Sequence, residues 1–454
     1  MRKHGLLLLV VATVTCGTLS ALDFGGTIDN TSGYFTSSSP NYNQANKLAL
    51  WFNTQLGPHV FFDAQVSGYY QNQTTYGGTS FGLYADLDRL DLRGQIAEEG
   101  ANPNLLSFDF GRFAANDPTG LIYDQGLDGL RIGLANPYFS VTTTLGYTGL
   151  TIKPSSSIIM SLADLNGITT QAQYFGSPRA IGMLSIDMPG LLLRQDVALA
   201  AMAEVDVRPF MANNNLLSPG TTVRSPTEGG SLDSQYFIAK VSGPIVGSLF
   251  WNGAFAVQTG QMLSYIVADG QYEYKPILAY LATGGFHLYA PQLLKLAVGL
   301  DATYASGDRD FATFYEGNTA GNATAFIPIT QKTVAAVFSP QIDNILTGSL
   351  SVSFKPLSGL KNPNLSNLQF EVKGIPFLRP TTGPISATSF LTAINGGNTQ
   401  YYLGTEVDGS IKYRPFSDLG LSITGGAFIA NPAALASSAG ALQWGGKVEA
   451  SLSL

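Results

Sequence analysis

Charged side chains recur on a single parity along several stretches of this 454-residue chain. Glu371 and Lys373 share one, and Glu406, Asp408 and Lys412 share another. Asp196, Glu204 and Asp206 do the same in a third. Arg131, Arg194, Lys240, Asp301 and Lys355 each fall on the polar parity of their own stretch, as do Asp63, Asp109, Lys295, Lys447 and Glu449. Residues two apart point to the same side of an extended strand. These patterns therefore put acids and bases together on common faces. Opposed charges on such a face can satisfy one another in a polar interior, or set up a transverse field that sorts solutes by charge. The two roles are compatible.

Covalent chemistry finds little to work with. Beyond the first residues the chain keeps two histidines, His59 and His287, each beside a proline-containing turn and suited to a polar rim. No serine stands in a strained Gly-x-Ser-x-Gly turn, and no His-Glu-x-x-His string occurs. Asp308, Asp310 and Glu316 cluster in one long loop. A calcium ion asks for six to eight oxygen ligands, so these three are expected to be solvated or paired with Arg309. No catalytic residue, cofactor or resident metal is expected.

The elements that must position the charges are strands. From Tyr401 to Arg414 one parity reads Tyr401, Leu403, Thr405, Val407, Gly409, Ile411, Tyr413, and the other carries Glu406, Asp408, Lys412 and Arg414. The same alternation runs through Val60–Tyr70, Val197–Asp206, Leu294–Tyr304 and Leu346–Lys355. These runs approach the 9–11 residues of a tilted membrane-crossing strand and exceed the usual 5–6 of a soluble one. We expect strands at 22–30, 46–56, 59–71, 80–96, 105–113, 126–135, 138–150, 179–188 and 191–207. Nine more are expected at 233–243, 245–260, 272–288, 293–305, 344–356, 367–375, 401–414, 419–429 and 442–454. That makes about 18, within a range of roughly 16 to 20. In 80–96 the apolar parity switches between Leu87 and Leu90, which predicts a bulge near Asp88-Arg89.

Short turns such as Gly57-Pro58, Pro189-Gly190 and Ala290-Pro291 alternate with long segments at 31–45, 151–178, 208–232, 306–343 and 376–400. Tight turns at one end and long loops at the other are the habit of barrels that span a membrane. Ile158, Ile159, Leu162 and Leu165 suggest a short helix within 155–166. The last strand reaches Leu454 and can pair with the first, closing the sheet so that no edge is left in lipid. Tyr and Trp near strand ends (Trp51, Tyr69, Tyr70, Tyr147, Trp251, Tyr304, Trp444) fit interfacial girdles.

Composition agrees. Charged residues make up 12% of the chain and hydrophobic ones 45%. After the first 21 residues no apolar run approaches the roughly 20 residues a spanning helix needs. Arg2, Lys3 and His4 followed by the apolar Leu6–Val14 read as a signal peptide covering 1–21. Residues 22–454 then form one domain. The only cysteine, Cys16, falls inside that leader, where it is either discarded or lipidated. Net charge is −7 over the whole chain, so no nucleic-acid partner is expected.

Several segments resemble a known family. They are Leu106-Ser107-Phe108-Asp109-Phe110-Gly111-Arg112 with Asp128-Gly129-Leu130-Arg131, and Tyr304-Ala305-Ser306-Gly307-Asp308 with Phe314-Tyr315. Further along come Leu403-Gly404-Thr405-Glu406-Val407-Asp408, Tyr413-Arg414-Pro415 and Gly425-Gly426-Ala427-Phe428. In this order they are similar to outer-membrane channels of the alginate-export and related 18-stranded porin type. The resemblance implies an 18-stranded transmembrane barrel in the outer membrane of a diderm bacterium, with a role in solute transport. Its partners would be outer-membrane lipid, small solutes and the barrel-assembly machinery, the last through the C-terminal strand. The chain ends in leucine where such proteins usually end in an aromatic residue.

The expected fold is thus all-β, an up-and-down antiparallel barrel. The expected function is passive diffusion of small polar or charged solutes, with 306–343 or 151–178 folded inward as a constriction. The pore would be lined by the charged residues named first. Arg112 shares the parity of Phe108 and Phe110, and a bulge at Gly111 would turn it from lipid toward the pore. The alternatives are a surface or adhesin barrel plugged by its loops, and an exopolysaccharide exporter. The mixed signs of the lumen residues weigh against one acidic polymer as cargo.

Overall fold

The computed structural model describes residues 22–36, 41–75, 78–97, 104–169, 174–211, 216–223, 229–313, 315–317, 320–386, 398–435 and 442–454. The expected signal peptide and Cys16 lie outside them. Eighteen strands follow in order: β1 (Leu22–Phe35), β2 (Asn41–Gly57), β3 (Val60–Thr75), β4 (Gly78–Ala97), β5 (Leu105–Asn116) and β6 (Asp124–Ala135). Next come β7 (Ser140–Tyr147), β8 (Arg179–Leu192), β9 (Gln195–Asp206), β10 (Leu232–Val246), β11 (Leu249–Ile266) and β12 (Gln271–Ala290). The last are β13 (Leu296–Ala305), β14 (Ile345–Phe354), β15 (Gln369–Leu378), β16 (Tyr402–Tyr413), β17 (Leu419–Ala430) and β18 (Leu442–Ser453). Two helices, α1 (Leu162–Thr169) and α2 (Pro363–Ser366), interrupt connections.

Each strand pairs antiparallel with its neighbours in sequence, and β1 pairs with β18 from Thr27↔Ser453 to Phe35↔Gly445. Leu454 N donates to Gly26 O at 2.8 Å, and Gly26 N returns a bond to Leu454 O. The sheet is a closed barrel without a free edge, as the reach of the last strand to residue 454 predicts. Every backbone donor of the wall can then be met by a neighbouring strand, which is the condition for a sheet to survive in lipid.

The outward parity is apolar over much of the wall. Leu48, Leu50, Phe52, Leu130, Ile132, Leu300, Leu350, Ile423 and Val448 all project from it, and Phe81 and Leu83 are each 79% exposed. Leaving one such side chain in water forfeits about 1.5–3 kcal/mol. A belt of them demands an apolar surrounding. No described helix is long and apolar enough to cross a membrane; the strands carry this surface. Trp444 stacks obliquely on Tyr34 at 5.7 Å on the outside near the loop end.

Several expectations need correction. The segment 31–45 is mostly strand, because β1 runs to Phe35 and β2 begins at Asn41. Long and short connections do not strictly alternate. The β14–β15 connection is long although it lies at the turn end, and β11–β12 is short at the loop end. Trp51 and Tyr69 point inward instead of joining a girdle: Trp51 fills the space over Gly25, and Tyr69 Oη donates to Asp88 at 3.2 Å. The helix in the β7–β8 loop starts later than its apolar spacing suggested. Ser161 and Asp164 exchange backbone–side-chain bonds at 3.2 and 3.3 Å and set its start as a capping pair.

The bulge expected near Asp88-Arg89 is present. Gln65 pairs with Arg89 and Val66 with Leu87, so Asp88 is the extra residue. A second bulge, unforeseen, sits at Gly404 (φ +152°), where Phe377 faces Gly404 but Leu378 faces Tyr402. It reverses the parity of the start of β16: Leu403 is fully buried in the lumen and Tyr402 turns outward.

Candidate functional site: a strap across the lumen

The connection from β13 to β14, residues 306–344, folds into the barrel. Its composition forces this. Phe311, Phe326, Ile327, Ile329, Val337, Phe338 and Ile342 are all buried. They pack against inward side chains of the wall, among them Tyr236, Ile277, Leu281, Ile375, Phe377, Leu403 and Phe428. Phe338 stacks on Phe428 at 4.4 Å and meets Phe377 edge-on at 4.9 Å.

A segment buried this way must find partners for its backbone, and the wall supplies them. The strap first runs beside β12, where Leu278 N donates to Ala323 O and Ala323 N to Pro276 O at 2.9 and 2.8 Å. Tyr236 Oη donates to Ile327 O at 2.6 Å, and Gln258 Oε1 accepts from Ile327 N at 2.8 Å. The strap then reaches the opposite wall. Ile329 N donates to Ile122 O at 2.9 Å, Asp124 N to Thr330 Oγ1 at 2.9 Å, and Lys332 pairs with Asp124. On the return, the carboxylate of Glu406 accepts from Val337 N and Phe338 N, both at 2.7 Å, and Asp408 accepts from Ala336 N at 3.2 Å. The segment therefore crosses from β12 to the β5–β6 side and back to β16. Of the two loops expected to constrict the lumen, this one spans it.

The β7–β8 connection supports the strap from above. Gln331 N donates to Ser157 O at 2.9 Å. Helix α1 is tied down by a buried ionic cluster. Arg179 meets Asp164 and Glu204 at 2.6 Å each and Asp206 at 3.5 Å, and Arg208 meets Asp164 at 2.9 Å and Asp206 at 2.5 Å. Burial alone would raise the Asp164 pKa, but the charges of Arg179 and Arg208 hold it below the ordinary carboxylate value. At the strap's exit the opposite holds. Burial, and then the charge of Asp308, push Asp343 well above the ordinary carboxylate range, and its Oδ1 has no hydrogen-bond partner.

That imbalance gives a pH prediction. A raised folded-state pKa means that folding is favoured most when the carboxyl is protonated, and the advantage is lost as pH rises above the unfolded value of about 4. Asp343→Asn is expected to melt at a higher temperature than the parent near pH 8, with the gap closing toward about pH 4. Loss of heat-modifiable gel migration reports the melting. Equal melting at both pH values would contradict the assignment.

Among the described residues, one flank of the lumen beside the strap keeps partly exposed inward side chains. Along β2–β6 an inward ladder of charges faces the passage. Lys47 pairs with Asp88 at 3.0 Å, Arg93 with Asp63 at 2.6 Å, Arg89 with Asp91, and Arg131 with Asp109 at 3.2 Å. Arg131 also lies over the Phe113 ring at 4.5 Å. Gly111 takes φ +123°, and Arg112 is withdrawn from the outer surface, 8% exposed, against Asp128 at 2.7 Å and Asp86 at 3.5 Å. Toward the turn end a cavity of about 720 Å³ is lined by Asp29, Lys355, Gln369, Lys412, Arg414 and Glu449, among others. A smaller one of about 240 Å³ beneath the strap holds Asp301, Lys332 and Lys373.

The charged residues singled out by parity thus divide into three groups. Asp301, Lys355, Lys373 and Lys412 line cavities, with Glu371 bonded to Lys412 at 2.9 Å, and the partly exposed Arg131 pairs with Asp109. Glu204, Asp206, Glu406 and Asp408 point inward but are covered by loops that they anchor; Lys240 likewise reaches Pro118 O at 2.6 Å. Arg194 belongs to the β8–β9 turn, and Asp196 stands at the start of β9 beside it. Leu193 and Arg194 take φ +51° and +71°, the geometry of a two-residue hairpin turn, and Asp196 accepts from Gly190 N at 2.8 Å. Lys295 sits in a similar pair with Leu294.

Spacing did not single out Lys47, Arg89, Asp91 and Arg93. Following the parity through the Asp88 bulge would have found the last three. Arg179, Asp164 and Arg208 carry no periodic signal, because two of them lie in connections and one at a strand edge.

Asp308 does not join Asp310 and Glu316 in a cation site. Its carboxylate accepts from Asp310 N and Thr324 N at 2.9 and 3.0 Å, and among the described residues no group of three His, Cys, Asp or Glu is arranged to hold a metal. Gly78-Thr79-Ser80-Phe81-Gly82 matches the letters of a serine-hydrolase elbow but runs inside β4, with Ser80 opposite Gln73. His287 faces Asn252 at 3.0 Å and Asp301 at 3.2 Å near the turn end.

No family model matches the sequence, and no curated protein does. Solved structures do match. Pseudomonas aeruginosa OccK11 (OpdR) superposes with TM-score 0.55 at 11% identity, covering 96% of this chain and 97% of that one. OccK5 (OpdH) of the same organism gives 0.53 at 13% identity, covering 97% and 99%. The outer membrane protein OprD gives 0.52 at 10%, covering 95% and 93%. The fold is that of the 18-stranded outer-membrane porins, shared over nearly the full length of both chains.

Proposed function

We propose that this chain is an outer-membrane channel for the passive diffusion of small polar or charged solutes. The loop end faces outward and the turn end faces the periplasm. The observation that carries this reading is the division of the lumen among the described residues: an apolar strap crosses it, and beside the strap the inward charged side chains Lys47, Arg93 and Arg131 stay partly exposed. A fully plugged barrel would have no reason to keep the inward ladder from Lys47 to Arg131 partly exposed. The strap also crosses the lumen from β12 to the β5–β6 connection and back to β16, which argues against exopolysaccharide export. Transport of this kind needs no cofactor and no bond-making. The exposed apolar belt accounts for lipid as a partner, and we assign the C-terminal strand β18 to recognition by the barrel-assembly machinery.

Liposome swelling tests the reading. Vesicles carrying the refolded protein should swell in isotonic small amino acids or monosaccharides and stay rigid in large dextrans. Vesicles rigid in every solute would support the plugged surface barrel instead.

A further inference from the structure

We propose that the loop-end mouth of the open flank is a binding site for neutral carbohydrate, which rests on the channel reading and names one class of cargo. Strand register assembles the site. Asn43 faces Gln73, and Gln73 faces Ser80. One step deeper Ala45 faces Gln71, and Gln71 faces Gly82; below these Lys47, Tyr69 and Tyr84 form the next row. All lie on the inward parity that the Lys47–Asp88 and Tyr69–Asp88 contacts define.

Asn43, Ala45, Gln71, Gln73, Ser80, Gly82 and Tyr84, with Thr31, border a hollow of about 480 Å³ that has no charged residue in its lining among the described residues. The turn-end cavity, by contrast, is lined by Asp29, Lys355, Lys412, Arg414 and Glu449. The absence of a side chain at Gly82 matters. A Cβ there would lie 2.1 Å from Tyr84 Oη and 2.4 Å from its Cζ, so the ring lies along the wall over the glycine, and Tyr84 lines the hollow.

This is chemistry for a ligand that is both hydroxylated and partly apolar. Amide side chains donate and accept at once and can serve neighbouring hydroxyls. A tyrosine ring offers an apolar face with a polar tip, suited to the C–H face of a pyranose. A carboxylate or phosphate would call for guanidinium or ammonium donors, and the hollow has none. The nearest cation, Lys47, is already paired with Asp88 at 3.0 Å.

The test is calorimetric titration of the full barrel in detergent with maltotetraose, with glutamate as a charged comparator. Saturable binding of maltotetraose and none of glutamate at this hollow is expected. Tyr84→Ala should weaken the binding about tenfold, while Tyr84→Phe, which keeps the ring, should retain it. Gln71→Ala reads the same site if Tyr84→Ala does not fold. No saturable binding of maltotetraose, or binding unchanged in both Tyr84→Ala and Gln71→Ala, overturns the proposal. A barrel that conducts ions but binds no sugar removes this site and leaves the channel reading intact. One that binds sugar without conducting supports the site and removes the channel.

Discussion

Excising the centre of the strap, residues 311–338, and joining the ends with a short Gly-Ser linker is expected to raise single-channel conductance at least about twofold. An 18-stranded barrel encloses an aqueous bore unless something fills it, and here the filling is mostly this one segment. The excision bares Ile277, Leu281, Phe377 and Phe428 to water, so the variant loses some stability. A milder variant reaches the same question. In Glu406→Ala the amides of Val337 and Phe338 lose the acceptor they share at 2.7 Å, and a buried donor left unmet costs about 1–3 kcal/mol. The return limb of the strap should then detach transiently, seen as frequent excursions to a higher conductance level. Unchanged conductance in the excision variant together with quiet traces in Glu406→Ala would show that the strap does not set the bore.

Removing Arg179 should have the largest effect on stability. Its side chain, and those of Asp164, Glu204 and Asp206, are fully shielded from solvent. Arg179→Ala leaves Asp164 and Asp206 to Arg208 alone and takes from Glu204 its paired cation. Breaking a buried pair from one side costs about 3–5 kcal/mol, because the surviving charge stays buried without compensation. The expected result is a marked fall in the urea midpoint of the folded barrel and new protease cleavage in 148–178, since helix α1 is held through Asp164. Replacing Arg179, Asp164 and Glu204 together with apolar residues of similar volume should recover most of that loss, as whole buried ionic groups can often be exchanged at little cost. A midpoint shift of under about 1 kcal/mol in Arg179→Ala would mean the cluster is solvated.

How far the sequence could be read depended on periodicity. All eighteen strands are legible, because an inward and an outward side chain alternate in each and the apolar half must face something other than water. The closure of β18 on β1 follows from the same pattern reaching Leu454. The bulge at Asp88 is legible because leucines on both sides of it change parity, as the pairing of Val66 with Leu87 records. The one at Gly404 is not, because the glycine offers no side chain to betray the shift and Tyr402 and Leu403 are both apolar enough for either face.

Parity tells inside from outside, but it does not tell an open wall from a covered one. Glu406 and Lys412 belong to one alternating run, yet Glu406 grips the strap while Lys412 faces open space near the turn end. What covers Glu406 comes from residues 336–338, some 70 positions away along the chain, and no local pattern encodes that meeting. The apolar content of 306–343 is a partial clue: a loop carrying Phe326, Ile327 and Ile329 is not built for water.

The central claim is that a continuous polar path runs beside the strap from one side of the membrane to the other. Planar-bilayer recording of the refolded protein addresses it most directly. The account predicts discrete, reproducible conductance steps from barrels whose folding is verified by heat-modifiable gel migration. Folded barrels that insert and yet show no steps above the bilayer baseline would contradict it.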